Sequence, residues 1–372
     1  MSFLFSPITL GGVTLHNRIS VAPMCQYSAR DGLPQPWHAQ HLGAMALSGS
    51  GLVTLEATSV EAIGRITPGD LGLWNDAQEQ AYVELLAGLR SYSHAVFGMQ
   101  ISHAGRKASS NAPWIDRGRA LTAEEGAWPT VAPSALPFDD GWHTPAALDA
   151  AGLARIREAF VQTARRADRI GFDLLELHGA HGYLISEFLS ALANQRDDDY
   201  GGNLANRMRF PLEIAAAVRE VWPRSKALGA RLNGSDWFEG GVTPEDAVVF
   251  SRELHALGFD FIHVSSGGLT PKAKIPGSQP GYQVPFAHAV KEAVPDIAVI
   301  AVGMITDPVQ AEEIIASGQA DMVALARAVL DDPRWGWRAA ERLGAPSPVP
   351  VQYERATKKT WAGYTYAHHE LG

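Results

Sequence analysis

Residues 178–183, His178-Gly179-Ala180-His181-Gly182-Tyr183, bring two imidazoles and a phenol together. They follow Gly171-Phe172-Asp173-Leu174-Leu175-Glu176-Leu177, which reads as a buried strand, so the cluster arrives where a strand runs out and glycines let the chain turn. Three chemistries are open to it. The histidines could ligate a metal, which needs a third protein ligand; Asp197, Asp198 and Asp199 are nearby, but they read more as a solvated turn. The rings could serve only local hydrogen bonds. They could also be paired donors to a carbonyl or phenolate oxygen, with Tyr183 delivering a proton. A tyrosine, with a pKa of about 10, protonates only a strongly basic carbon such as a forming enolate.

Other residues suggest a bound heterocycle. Gln100 and Arg231 fall on strand-like runs, and an amide beside a buried cation suits ring carbonyls and ring nitrogens such as those of a flavin. The bland alternative for Arg231 is an ion pair with Glu56 or Glu176 inside the fold. Gly303-Met304 and Arg327 follow the last two strand-like runs, where glycine backbone and a guanidinium suit a phosphate. Cys25 ends the first run beside Tyr27; it could be an ordinary buried thiol, a nucleophile paired with His178 or His181, or a group that tunes a cofactor.

These residues need a scaffold. A short hairpin is expected at Ile8-Thr9-Leu10 and Val13-Thr14-Leu15 around Gly11-Gly12. Strand-like runs then recur at Ile19–Met24, Gly51–Thr58, Ala95–Ser102, Phe172–His178, Ala227–Asn233, Phe259–Ser265, Val299–Gly303 and Met322–Ala326. Helix-like segments lie between most of them, at Glu79–Arg90, Leu153–Ile170, Arg209–Val221, Pro244–Leu257 and Pro308–Ser317. Thr243-Pro244 and Asp307-Pro308 are helix starts, and Gly171, Gly258 and Gly318 are helix ends.

About eight alternations of strand and helix predict a (β/α)8 TIM barrel, with an open doubly wound sheet as the alternative. No strand-linked G-x-G-x-x-G and no P-loop is present. Residues 104–150 form a long loop after the third strand, and 345–372 a C-terminal extension ending in Trp361, Tyr364, Tyr366, His368 and His369. The expectation is one domain over 1–372, with residues 1–17 as its N-terminal hairpin.

The 372 residues are 46% hydrophobic and 19% charged, ordinary for a globular enzyme, and the net charge of −9 argues against nucleic-acid binding. The single cysteine excludes an intramolecular disulfide and four-cysteine metal or cluster sites, and fits a reducing cytoplasm. Met1-Ser2-Phe3-Leu4-Phe5 lacks a basic region and soon meets Pro7, a poor signal peptide, and no apolar run approaches a membrane span.

Several motifs in order carry a resemblance. Ala22-Pro23-Met24-Cys25-Gln26-Tyr27, Gln100-Ile101-Ser102-His103-Ala104-Gly105-Arg106-Lys107, His178 to Tyr183, Asn194 to Gly202, Val302 to Asp307 and Val351-Gln352-Tyr353-Glu354-Arg355 are similar to the old yellow enzyme family, in its "thermophilic-like" branch of bacterial NADPH dehydrogenases and xenobiotic reductases. The resemblance implies an FMN-containing barrel. NADPH or NADH gives a hydride to the flavin and leaves, and an α,β-unsaturated carbonyl then takes it at the β-carbon from the same place. It implies FMN contacts from Pro23, Met24, Cys25, Ala57, Gln100, Arg231, Ser265, Gly303, Met304, Ala326 and Arg327, with Ala326 standing where many relatives have glycine. Cys25 would tune the flavin, His178 and His181 would hold the substrate oxygen, and Tyr183 would protonate the α-carbon. Tyr27 and Lys107 would line the substrate side, and Arg355 would reach a neighbouring subunit of a homodimer or larger oligomer. The alternatives are a barrel hydrolase with Cys25 as nucleophile and a non-catalytic flavin-binding protein.

Overall fold

The computed structural model describes residues 2–277, 279–346 and 348–368, so His369 lies outside the described residues. The hairpin forms as antiparallel β1 (Ile8–Leu10) and β2 (Val13–Leu15). Strands β3 (Ile19–Val21), β4 (Leu52–Ser59) and β5 (Val96–Ser102) follow. The long connection carries short 3-10 turns and the parallel pair β6 (Val131–Ala132) and β7 (Ala146–Ala147). Then come β8 (Leu174–Gly179), β9 (Ala227–Asn233), β10 (Phe261–Ser265), β11 (Ala298–Val302) and β12 (Met322–Leu325). The sheet closes in the order β10-β11-β12-β3-β4-β5-β8-β9, every pair parallel, which is the (β/α)8 barrel expected from the alternation.

The helices are α1 (Pro36–Ala46), α2 (Asp76–Arg90), α3 (Ala150–Ile170), α4 (Leu184–Leu189), α5 (Leu204–Val221), α6 (Pro244–Ala256), α7 (Val284–Ala293), α8 (Pro308–Ala316), α9 (Arg327–Asp331), α10 (Trp335–Arg342) and α11 (Tyr364–Ala367). Thr243 and Asp307 cap α6 and α8 as their sequences predict, and Gly171 closes α3 in a left-handed conformation. Three helices start earlier than their apolar periodicity suggests, because Asn75 caps α2, Asp149 caps α3 and Asn203 caps α5, each accepting from the backbone N–H three residues on. Helices α1, α4, α7, α9, α10 and α11 have no counterpart in the sequence reading; none exceeds 11 residues, too short for a clear apolar period.

Period-two alternation along the strands sorts the core. Leu175, Leu177, Leu228, Ala230, Ile262, Val264, Val299 and Val323 point outward and pack with Phe160, Ile214, Phe250 and Ala311 of the helices. Leu52, Leu174, Ala227, Phe261, Ile300 and Met322 fill the lower barrel interior, and Leu10 and Leu15 of the hairpin join them, plugging that end. One or two steps up the same inward faces the side chains turn polar. Gln100 pairs in register with Glu176, and His178, Arg231 and His263 form the next layer. Gln100 and Arg231 therefore point into the barrel.

The 104–150 connection is anchored. Trp128 Nε1 donates to the Ile63 carbonyl at 3.0 Å, and Arg196 donates to the carbonyls of Pro133 and Leu148 at 2.9 and 2.7 Å. The C-terminal segment lies at the opposite end of the barrel, where Pro348–Gln352 line a cleft with His16, Ser50, His94 and Ala95, residues that precede strands. Among the described residues no helix is long and apolar enough to cross a membrane.

Phe160 on α3 is fully buried against the barrel. Phe160→Ala is expected to lower unfolding stability by about 3–5 kcal/mol, read from the urea midpoint at unchanged m-value.

Candidate active site

The polar end of the barrel is the C-terminal end of its strands, where barrel enzymes build their sites. A cavity of about 200 Å³ opens there, lined by His181, Arg231, Ser265, Gly303, Met304, Ala326 and Arg327 among others. The structure thus brings together the residues expected to hold the phosphate side of a cofactor with one of the two histidines.

The turn after β8 differs in detail from the sequence reading. The left-handed residues are His181 (φ 60°) and Gly182 (φ 73°). A side chain at Gly182 would put its Cβ 2.4 Å from the Gly268 carbonyl oxygen, so this loop and the one after β10 touch backbone to backbone. The His181 amide is held at 3.1 Å by Asn233 Oδ1, a support with no local sequence signal. A non-glycine residue in this conformation is strained unless its surroundings fix it.

The His178 ring stands edge-on to both His181 and Tyr183, with centroids 5.2 and 4.9 Å apart. Burial, followed by the nearby Arg231 guanidinium, pushes both imidazoles well below their ordinary pKa. They are neutral at neutral pH, and each carries one N–H. His178 Nδ1 accepts from the Ala180 amide at 3.3 Å, which assigns its proton to Nε2 and makes that nitrogen a donor. His181 Nε2 is engaged with Ser265 Oγ at 2.7 Å, so the two histidines are not equivalent. No group of three or more His, Cys, Asp or Glu side chains is gathered to hold a metal among the described residues.

Tyr183 packs with Cys25, Ile66, Ala104 and Ala108. Burial, then Cys25 and Tyr27, holds its phenol well above the ordinary range, so it stays protonated. The Cys25 thiol is likewise raised, by burial first and then by Asp70 and Glu56, which is the reverse of what a thiolate nucleophile requires. Tyr27 sits at φ 51° with Trp114 of the long loop edge-on to it at 5.5 Å. The Gln26 amide donates to Glu56 Oε2 at 2.7 Å, fixing this turn. Glu56 comes from a bulge: Leu55 pairs with Met99 and Thr58 with Ile101, so Glu56 and Ala57 together face Gln100.

The ion pairs imagined for Arg231 do not form. Glu56 is held by the Gln26 amide and faces His38, and Glu176 accepts from Gln100 Nε2 at 2.7 Å and pairs with His263 Nδ1 at 3.0 Å. Arg231 makes one side-chain bond, Nη2 to Ser265 Oγ at 3.3 Å, and its Nε is buried with no partner. A buried guanidinium with unused donors is what a ligand with ring carbonyl and ring nitrogen acceptors would satisfy. At the other end of the cavity Arg327 is exposed, beside Gly303 (φ 116°) and Met304 (φ 53°). The chemistry of this donor set fits FMN: unused guanidinium donors inside the barrel, and a second guanidinium beside glycine backbone at the cavity's other end.

Lys107 Nζ donates to the carbonyls of His181 and Gly268, both at 2.8 Å. Of the expected site residues, His181, Arg231, Ser265, Gly303, Met304, Ala326 and Arg327 line the cavity, whereas Pro23, Met24, Cys25, Tyr27, Ala57, Gln100, Lys107, His178 and Tyr183 do not; Arg355, on a 3-10 turn beginning at Val351, is exposed on the far side of the barrel. Four neighbours of the site escaped the sequence reading: Glu187, Asn233, Phe138 and Trp114. Asn233 ends a strand and was noted only as such; the others are separated from the motifs by 4 to tens of residues and are united with them only by folding.

Residues 3–345 match the model of the NADH:flavin oxidoreductase / NADH oxidase family. An NADPH dehydrogenase of Geobacillus sp. (strain WCH70) is 44% identical over 356 residues, covering 95% of this chain and 98% of that protein. Morphinone reductase superposes with a TM-score of 0.76 at 29% identity, covering 93% of this chain and 91% of that one. Its complex with tetrahydroNAD superposes with a TM-score of 0.75 at 27% identity, covering 92% and 91%.

A Cβ at Gly303 would lie 2.3 Å from Gln283 Nε2, and Gln283 is itself held by the Val302 carbonyl at 2.9 Å. Gly303→Val is expected to purify with a much lower ratio of flavin to protein absorbance than wild type.

Proposed function

The chain belongs to the NADH:flavin oxidoreductase / NADH oxidase family, an FMN-dependent NADPH oxidoreductase family, and from that premise we propose that it is an ene-reductase acting on α,β-unsaturated carbonyl compounds. The observation that carries this reading is the pairing, at one strand end, of a neutral imidazole N–H donor with a phenol kept protonated. FMN, when bound, supplies the two-electron relay between the nicotinamide and the alkene.

The protein's own share is positioning and proton transfer. His178 Nε2–H donates to the substrate carbonyl oxygen and draws negative charge toward it as the β-carbon is reduced. His181 joins the clamp by exchanging its bond to Ser265 for one to the substrate oxygen. Tyr183 then gives its proton to the α-carbon. Its raised pKa prevents early loss of that proton, and the enolate-like carbon is basic enough to take it. Cys25, packed against Tyr183 with its thiol kept neutral, contacts the cofactor and tunes it. Tyr27, with Trp114 against it, walls the substrate side. Morphinone reductase, similar in fold, is named for reducing a ketone-bearing molecule, which supports a carbonyl-activated alkene here.

The family, whose similar curated members are NADPH dehydrogenases, sets aside both a non-catalytic flavin carrier and a Cys25 hydrolase, and the buried Cys25, raised rather than lowered, supports the second exclusion. We place the enzyme in the cytoplasm as a single-domain protomer of a homodimer or dimer-based oligomer. Arg355, exposed and remote from its own cavity, is assigned to the site of a second copy.

The purified protein is expected to be yellow, to be bleached by NADPH without oxygen and to regain its colour with cyclohexenone; reduction without any enone-driven re-oxidation sinks the ene-reductase reading. Tyr183→Phe is expected to slow re-oxidation by enone at least about 100-fold while slowing reduction by NADPH far less; equal losses remove Tyr183 from the proton step. Cys25→Ala is expected to keep turnover with a shifted flavin potential, and complete loss of turnover contradicts the tuning role.

A further inference from the structure

Lys107 sits where three loops meet. Its turn, Gly105–Lys107, follows β5. Its ammonium donates to the His181 carbonyl after β8 and the Gly268 carbonyl after β10, each at 2.8 Å. Those loops press together at Gly182 and Gly268: a Cβ at Gly268 would lie 2.6 Å from the same His181 carbonyl oxygen. Two carbonyl dipoles therefore converge on one cation, and without it they would face each other. Both carbonyls belong to left-handed residues, His181 at φ 60° and Gly268 at φ 87°. The ammonium also lies 4.9 Å from the Tyr183 ring centroid and 4.8 Å from that of Phe138.

We propose that Lys107 is a positioning residue, clamping the loops that carry His181 and Gly268 while its charge against the Tyr183 ring stabilises the phenolate formed as Tyr183 gives up its proton. The second half rests on the ene-reductase reading above. In that step the Tyr183 O–H bond breaks, the proton bonds to the α-carbon, and the electron pair remains on the phenolate oxygen until a solvent proton restores it. The negative charge spreads into the ring that the ammonium faces. The groups facing Lys107 are Glu187 of α4, Arg106 of its own turn, His178 and His181 of β8 and its loop, and Tyr183. Glu187 is buried and accepts the Arg106 amide at 2.8 Å. Burial lowers the Lys107 pKa to about 8, against the attraction of Glu187 and with the repulsion of Arg106. The side chain is thus charged below that pH and loses its charge above it.

Two measurements on the FMN-loaded enzyme test this. In hydrogen exchange, Lys107→Met is expected to speed exchange in peptides spanning 180–184 and 266–270 by about tenfold, whereas Lys107→Arg stays close to wild type. Unchanged exchange in Lys107→Met overturns the clamp. In stopped flow, wild-type re-oxidation by cyclohexenone is expected to fall as pH rises through about 8. Lys107→Arg, whose guanidinium stays charged, is expected to hold its rate across that range. Lys107→Met is expected to be slower by about tenfold even at pH 7. Coincident pH profiles for wild type and Lys107→Arg overturn the charge role. If wild type does not react with enones at all, the ene-reductase reading fails, and the exchange data still decide the clamp by themselves.

Discussion

A guanidinium buried without a carboxylate is the constraint around which the upper barrel is arranged. Desolvating a cation costs several kcal/mol unless acceptors replace the lost water. Arg231 finds one hydroxyl, Ser265, and leaves Nε bare, while both nearby carboxyl groups are committed elsewhere. Glu176 is bound by Gln100 and His263, and Glu56 is turned to the Gln26 amide by a bulge. The protein thus keeps its acids occupied and offers Arg231 to a ligand. Burial first, and then the same positive charge, lowers the pKa of His178 and His181, keeping both rings neutral and one of them a defined donor.

The barrel can support this because its interior is divided by height. Below, hydrocarbon side chains and the hairpin residues Leu10 and Leu15 fill the bore. Above, the same inward positions carry amide, carboxyl, imidazole and guanidinium groups that bond to one another across the barrel interior, with Arg231 Nε left without a partner. Strand pairing in register makes the division possible, since it places Glu176 beside Gln100 and Arg231 between His178 and His263.

The fold was largely legible in the sequence, because parallel strands buried on both faces give apolar runs and helix caps such as Thr243 and Asp307 are local signals. The boundaries of α2, α3 and α5 were less so, since their first turns, capped by Asn75, Asp149 and Asn203, precede the start of the helical apolar repeat. The motif residues around the cavity were also legible, as each follows a strand. What the chain order concealed was how they are used. That His181 rests on Ser265, that Lys107 binds carbonyls and that Arg231 lacks a carboxylate are facts of juxtaposition between residues 34 to 161 positions apart, or of its failure to occur. The role of the long loop was equally hidden, since Trp114 meets Tyr27 only in three dimensions.

The bulge in β4 has a consequence for anyone building chimaeras from such barrels. One strand carries an additional residue, Glu56, and that residue serves the turn after a different strand by holding the Gln26 amide. Strand length and the neighbouring turn are therefore a single inherited unit. Exchanging the Cys25–Tyr27 turn for a foreign one, with β4 left intact, would strand a buried acid beside His38. Shortening β4 to a regular ladder would leave the turn without its anchor. Transplantation works only when both pieces travel together.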